Sequence, residues 1–305
     1  MQRNLILDNV PETVPRPRHL DALRAPARRS GAGVVVGVLD TGVRRSHEQF
    51  VGDDVVALAF DECGRATAIA RDDGFDGDGH GTMVCALIAG RTLGVAPGAR
   101  LVVARVTGDA RAVHARAVEA ALEALAVGTF GRAGGALGVD VLNVSLGWPG
   151  FWAGDDARLA EGFARLTRET QTLVVASIGE ADVSSGGGGA ARLHSPGAYA
   201  CVVGVGACGD DGAPALWSAS GQVAEQGGID KPDLLAPGVD VTSAFWLDDR
   251  SRMIASGTSY ASALASGAAA LCLALDPGLR GDAAALRARL EGLAPGRGAL
   301  DLALL

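Results

Sequence analysis

The chain has no Cys-x-x-Cys pair, and its five cysteines (Cys63, Cys85, Cys201, Cys208 and Cys272) are odd in number and widely spaced. That pattern argues against a disulfide framework or a thiolate metal site, and it leaves small, buried, reduced thiols as the expected role. Positive charge is also lacking: 27 Lys and Arg against 35 Asp and Glu give a net charge of -8 and a pI near 5.1. Broad attraction to nucleic acid or to an anionic membrane surface is therefore not expected. No apolar run between Met1 and Pro17 is long enough for a signal peptide, and no stretch reaches the ~18 apolar residues of a membrane span. The expectation is a cytoplasmic protein with neither nucleic acid nor membrane as partner. There is no internal repeat, and the one low-complexity tract, Ser184 to Gly189, is expected to be a mobile surface loop.

What the chain does have is apolar material and glycine. A hydrophobic fraction of 48% can supply a large core, and 44 glycines among 305 residues are about twice the usual share of roughly 7%. Residues 1–32 are rich in Pro and Arg without periodicity and read as an extended arm; residues 33–305 read as one domain. Within that domain short runs recur at Val34–Leu39, Leu101–Val106, Val139–Val144, Leu173–Ile178 and Cys201–Gly206, mostly apolar on both faces, as buried parallel strands require. Between them, Val118, Ala121, Leu122 and Leu125 fall on one helix face, and Leu159, Phe163 and Leu166 do the same. Asp282 to Glu291 reads as a terminal amphipathic helix with Leu286 and Leu290 on one face. The alternation predicts an α/β fold: a doubly wound, mostly parallel sheet with helices on both faces. Ligand sites in such sheets lie beyond the carboxyl ends of the strands.

Three segments carry chemistry. Asp40 ends the first strand run and precedes Thr41-Gly42. Taken alone, Asp-Thr-Gly also fits one half of a paired-carboxylate site, of which no second copy exists here, or a simple turn cap. His80 lies in Asp78-Gly79-His80-Gly81-Thr82, ahead of an apolar helix from Met83 closed by Gly90. Its flanking glycines leave room for substrate and for packing of the ring. Ser259, in Ser256-Gly257-Thr258-Ser259-Tyr260-Ala261, stands directly before the small-residue helix Ala261–Leu275. There its own N–H can donate to an oxyanion, or the residue can be an ordinary helix cap.

Together these segments resemble the subtilisin family, in which Asp, His and Ser occur in that order. The resemblance runs from about Gly33 to Leu275 and includes Gly94 to Ala99, Asn143 to Gly147, and Lys231 to Gly238. It implies acyl transfer: Ser259 as nucleophile, His80 as general base, Asp40 orienting the imidazole, and a peptide or protein as substrate. It also implies that Ser145, Leu146 and Gly147 form an edge pairing with an extended peptide, and that Ser177, Ile178 and Gly179 form the opposite wall of the first specificity pocket. Ile178, larger than the residue the family often has there, is expected to narrow that pocket.

One departure stands out. Where the family carries a side-chain oxyanion donor, an Asn, this sequence has Glu180, and an ionised Glu cannot donate. Three explanations stay open: Glu180 is protonated and donates; the Asn is deleted and Glu180 matches a neighbouring acidic residue; or the chain is a pseudoprotease that binds peptides without turnover. Tyr260, Ala263 and Leu264 also replace residues frequent in the family, at packing positions. No cofactor is implied. Calcium ligands are conceivable at Asp72, Asp73, Asp76 and Asp78, but the spacing is not that of an EF-hand loop, and a solvated acidic loop is the expectation.

Overall fold

Strands that are apolar on both faces can be buried only where helices cover a sheet from both sides. The structure, a computed structural model, describes residues 16–50, 54–67, 76–108, 112–130, 138–149, 155–181, 192–224 and 227–305, together with the backbone of 5–7. Ser184 to Gly189, expected as a loop, and Asp72 and Asp73 lie outside the described residues. In chain order the elements are β1 (Leu5–Leu7), α1 (Arg18–Ala22), β2 (Val35–Asp40), β3 (Val55–Ala59), α2 (His80–Ala89), β4 (Arg100–Arg105), α3 (Ala115–Val127), β5 (Val141–Val144), β6 (Trp148–Pro149) and α4 (Asp155–Thr170). Then follow β7 (Leu173–Ser177), β8 (His194–Ser195), β9 (Val203–Cys208), β10 (Gly221–Val223), β11 (Ile229–Lys231), β12 (Leu234–Pro237), β13 (Val241–Ala244), β14 (Arg252–Ala255), α5 (Thr258–Leu275) and α6 (Ala283–Gly292).

Seven strands form one parallel sheet in the order β12-β9-β7-β5-β2-β4-β3. All five expected strands are in it. From β2 the chain runs out to β3, returns through β4, and then crosses to β5 on the other side, so the order reverses at β2. That reversal is the switch point at which doubly wound sheets open a crevice.

Alternation along the strands separates the two larger cores of the interior. Val36 and Val38 join the core containing Met83, Leu87, Leu271 and Leu290 from α2, α5 and α6, while Val35 and Leu39 join the one containing Val118, Leu122, Leu159 and Phe163 from α3 and α4. α6 begins where Asp282 accepts a hydrogen bond from the Ala285 N–H at 2.9 Å, a side-chain cap that satisfies one orphan donor. α5 starts three residues before the expected Ala261. By length and mean hydropathy α5 could cross a membrane, contrary to the reading that no stretch is apolar enough, but it is 83% buried as a core helix.

The segment before residue 33, expected as an extended arm, contains two elements. β1 pairs antiparallel with β14, and α1 with its C-cap residue places Leu20 and Leu23 in the larger core at 0% exposure. His19 on α1 bonds through its ring to the Leu93 carbonyl at 2.9 Å.

Candidate active site

Asp40 is the last residue of β2 and has 0% exposure. One of its carboxylate oxygens, Oδ1, accepts from the Thr41 N–H at 2.8 Å and pairs with His80 Nδ1 at 2.7 Å. A hydrogen bond at Nδ1 fixes the ring's orientation and directs Nε2 away from the carboxylate. His80 opens α2, and its helix is drawn against the Asp40 turn by backbone contact: a Cβ at Gly81 would lie 2.0 Å from the Gly42 carbonyl oxygen. Gly81 is therefore required by close backbone approach, whereas Gly79 adopts a left-handed φ of 95° and packs against Trp246. The expectation that these two glycines leave room for substrate is not how the structure uses them.

Sequence reasoning missed the residue that organises this turn. Asp76, expected in a solvated acidic loop, has 0% exposure. Its Oδ1 accepts from the Gly79 N–H at 2.9 Å and the Thr41 hydroxyl at 3.0 Å, and its Oδ2 accepts from the Thr82 N–H at 2.8 Å. The carboxylate so caps α2, whose N-cap Gly79 has no side chain to do it, and ties that helix to the Asp40 strand. Its full set of protein donors explains its burial. Asp78 accepts from the His80 N–H at 3.1 Å. The sequence signal was an Asp shortly before a glycine-started helix, the pattern of an Asx turn.

Ser259 lies in the first turn of α5, half-buried, and its hydroxyl donates to the Ser145 carbonyl at 2.9 Å. A buried polar ladder fixes that turn against β5. Asn143 Nδ2 donates to Ser145 Oγ at 2.9 Å, Ser145 Oγ lies 3.0 Å from Ser262 Oγ, and Ser266 Oγ donates to Asn143 Oδ1 at 2.9 Å. Both Ser145 and Ser262 hydroxyls reach the Ser259 carbonyl, each at 2.9 Å. Tyr260 packs its ring 5.8 Å from that of His80.

Glu180 is brought to the same place. Its Oε1 accepts from the Thr258 N–H at 2.8 Å, so the carboxylate sits on the N-terminal turn of α5, one residue from Ser259. Helix N-termini favour negative charge, which accounts for this docking. Ser177 ends β7 and Gly179 continues the chain toward Glu180, and Leu146 and Gly147 follow β5. Ile178 has 0% exposure and directs its Cδ1 at Gly204 on β9, so its side chain is buried against that strand.

A hydrogen-bonded Asp and His beside a serine at a helix start is the arrangement of an acyl-transfer site, and the order of the three is that of one family. The model of the Subtilase family matches residues 31–299. The chain belongs to the subtilase family. It is 31% identical over 268 residues to the Subtilisin-like protease PopC of Myxococcus xanthus, covering 79% of this chain and 51% of that protein. Subtilisin DY of Bacillus licheniformis is 29% identical over 273 residues, 88% of this chain and 86% of that protein. Among solved structures, this subtilase is similar to a cold adapted subtilisin-like serine proteinase with a TM-score of 0.66 and 25% identity, over 90% and 91% of the two chains. The chain spans about half the length of PopC and 56% of Pen ch 13, a subtilisin-like serine protease of Penicillium rubens.

Proposed function

We propose that this subtilase is a serine endopeptidase, or a peptide-processing relative, that cleaves peptide bonds by acyl transfer through Ser259. The observation that carries the reading is the 2.7 Å bond between His80 Nδ1 and the buried carboxylate of Asp40. With its proton held on Nδ1, the imidazole offers Nε2 as the base for the Ser259 hydroxyl, and Asp40 stabilises the imidazolium that forms. A rotation of the Ser259 side chain exchanges its bond to the Ser145 carbonyl for one to His80. The attacked carbonyl oxygen gathers charge near the first turn of α5, where the Ser259 N–H and the helix dipole favour it. His80 then returns its proton to the leaving amine. The backbone beyond β5, at Ser145 to Gly147, pairs with the extended substrate.

A second reading, a peptide-binding pseudoprotease, is favoured by the carboxylate of Glu180 on the Thr258 N–H, since a negative charge there opposes an oxyanion. Mass spectrometry after treatment with a fluorophosphonate separates the two. A single adduct on Ser259, absent from Ser259→Ala and His80→Ala, supports the peptidase; folded protein that stays unlabelled at every pH supports the binding module.

A further inference from the structure

β5 and β7 are neighbours in the sheet, with Val144 opposite Ala176, and their continuations both lead to Ser259. The first does so through the Ser145 carbonyl, which accepts from the Ser259 hydroxyl, and the second through Glu180 on the Thr258 N–H. The gap between Ser145 to Gly147 and Ser177 to Gly179 therefore opens directly beside the nucleophile, at the carboxyl ends of two parallel strands. On the proposed peptidase reading, the side chain next to the attacked carbonyl enters this gap.

The gap already holds an imidazole. His194, on β8, stands opposite Pro149 of β6, which continues one wall, and its N–H donates to the Ile178 carbonyl of the other wall at 2.8 Å. Its side chain lies between the two glycines. A Cβ at Gly147 would meet His194 Cβ at 3.0 Å and Nδ1 at 3.2 Å, and a Cβ at Gly179 would meet Cγ at 2.6 Å and Cδ2 at 2.9 Å. Gly179 also has a left-handed φ of 101°. Both walls are thus bare of side chain where they clasp the ring, and the ring bridges them.

Two physical consequences follow for a ligand. A large side chain cannot enter without displacing a side chain that is held between the two glycines, and overfilling a packed site is costly. Nor can an apolar one lie on it without loss. Among the described residues the His194 ring nitrogens have no hydrogen-bond partner, and desolvation alone, with no nearby charge, accounts for the downward shift of its pKa. An aromatic or leucine side chain pressed on those nitrogens strips their water and returns nothing.

We propose that His194 sets the substrate preference of this cleft, admitting only small side chains, of alanine or serine size, on the residue that carries the attacked carbonyl. The role expected of Ile178 falls to His194 instead. This rests on the reading of the cleft as a peptide site beside Ser259, but not on turnover, and the experiment keeps the two apart.

Labelled peptides ending in alaninamide or phenylalaninamide, otherwise identical, are titrated by fluorescence anisotropy against full-length Ser259→Ala, with and without His194→Gly. The expected result is at least about tenfold tighter binding of the alanine peptide with His194 present, and a gain of similar size for the phenylalanine peptide once the ring is removed. Equal binding of both peptides, a preference unchanged by His194→Gly, or no binding of either overturns the proposal. If His194→Gly unfolds early, His194→Ser, which keeps a side chain on β8, is read the same way. Fluorophosphonate labelling of Ser259 in the otherwise unaltered protein reports separately on acyl transfer, so that failure of labelling with retained alanine preference rejects the peptidase and leaves the pocket standing.

Discussion

Replacing Glu180 with Gln changes one charge at constant side-chain length, and the structure assigns opposite signs to its two effects. On stability the change is a loss. The carboxylate sits on the Thr258 N–H at 2.8 Å at the start of an 18-residue helix. A negative charge in that place contributes about 0.3–1 kcal/mol, and up to about 2 when partly buried. The Gln amide oxygen can keep the hydrogen bond but not the charge, so the melting temperature should fall by about 2–4 °C per kcal/mol for a domain of this size. On acyl transfer the change is a gain. In the proposed mechanism the oxyanion forms beside the same helix turn, where a carboxylate opposes it, and the Gln amide supplies an N–H that a carboxylate lacks. One such donor is typically worth about 100- to 1,000-fold in turnover, which sets the upper bound of the increase. The assay pairs thermal unfolding followed by circular dichroism with the rate of fluorophosphonate labelling at Ser259, and Glu180→Ala serves as the control that removes charge without adding a donor. If Glu180→Gln labels no faster than the parent while its melting temperature drops, the carboxylate is purely a helix cap and the argument about the oxyanion is wrong.

Other expectations follow from the same geometry. His19 is 3% exposed, and burial pushes its imidazole down to about 4. Because the folded-state value lies below the unfolded value of about 6.5, the unfolded chain binds the extra proton between them, so stability is complete above about pH 6.5 and falls by up to about 3 kcal/mol as pH drops toward 4. Denaturant titrations should show that slope flattened in His19→Gln. Gly81→Ala places a Cβ 2.0 Å from the Gly42 carbonyl oxygen and should separate His80 from Asp40; a loss of stability of roughly 1–3 kcal/mol together with collapsed Ser259 labelling is expected, and normal labelling counts against the packing argument. Asn143→Leu leaves the Ser266 hydroxyl without its partner and takes one of several from Ser145, for a cost of about 1–3 kcal/mol in equilibrium unfolding. All five cysteines are free thiols, and Cys63 is exposed; in native protein a maleimide should modify Cys63 first, and a reductant should leave the melting temperature unchanged.

The sheet was legible where burial is symmetrical. β2, β4, β7 and β9 are apolar on both faces, and no other arrangement buries such runs, although β9 begins two residues after the expected Cys201. β3 escaped notice because it is an edge strand with its middle three residues only partly buried, so Val55 to Ala59 carries too weak a signal to separate from a loop. α1 is five residues long, below the length at which a 3.6-residue period can be read, and its helix is stable only because Leu20 and Leu23 reach the core.

The site divides in the same way, by how local each determinant is. Asp40, His80 and Ser259 stand at element ends whose type can be read from flanking residues, so their convergence follows once the sheet is parallel and its order reverses at β2. Asp76 and His194 have no such local mark. Asp76 looks like one more acid in a run of acids until Thr41, Gly79 and Thr82 surround it, and only the fold brings Thr41, 35 residues away, to its oxygen. His194 gains meaning from two glycines in the segments that follow different strands, β5 and β7, neither adjacent to it in sequence. Ile178 shows the converse: its place in the sequence suggested a side chain that narrows the pocket, yet it follows the end of β7 fully buried, with its Cδ1 toward Gly204. A residue's order along the chain fixes which segment reaches the site, whereas the neighbouring segments decide which side chain faces it, and the specificity proposed for His194 rests on that second kind of determinant.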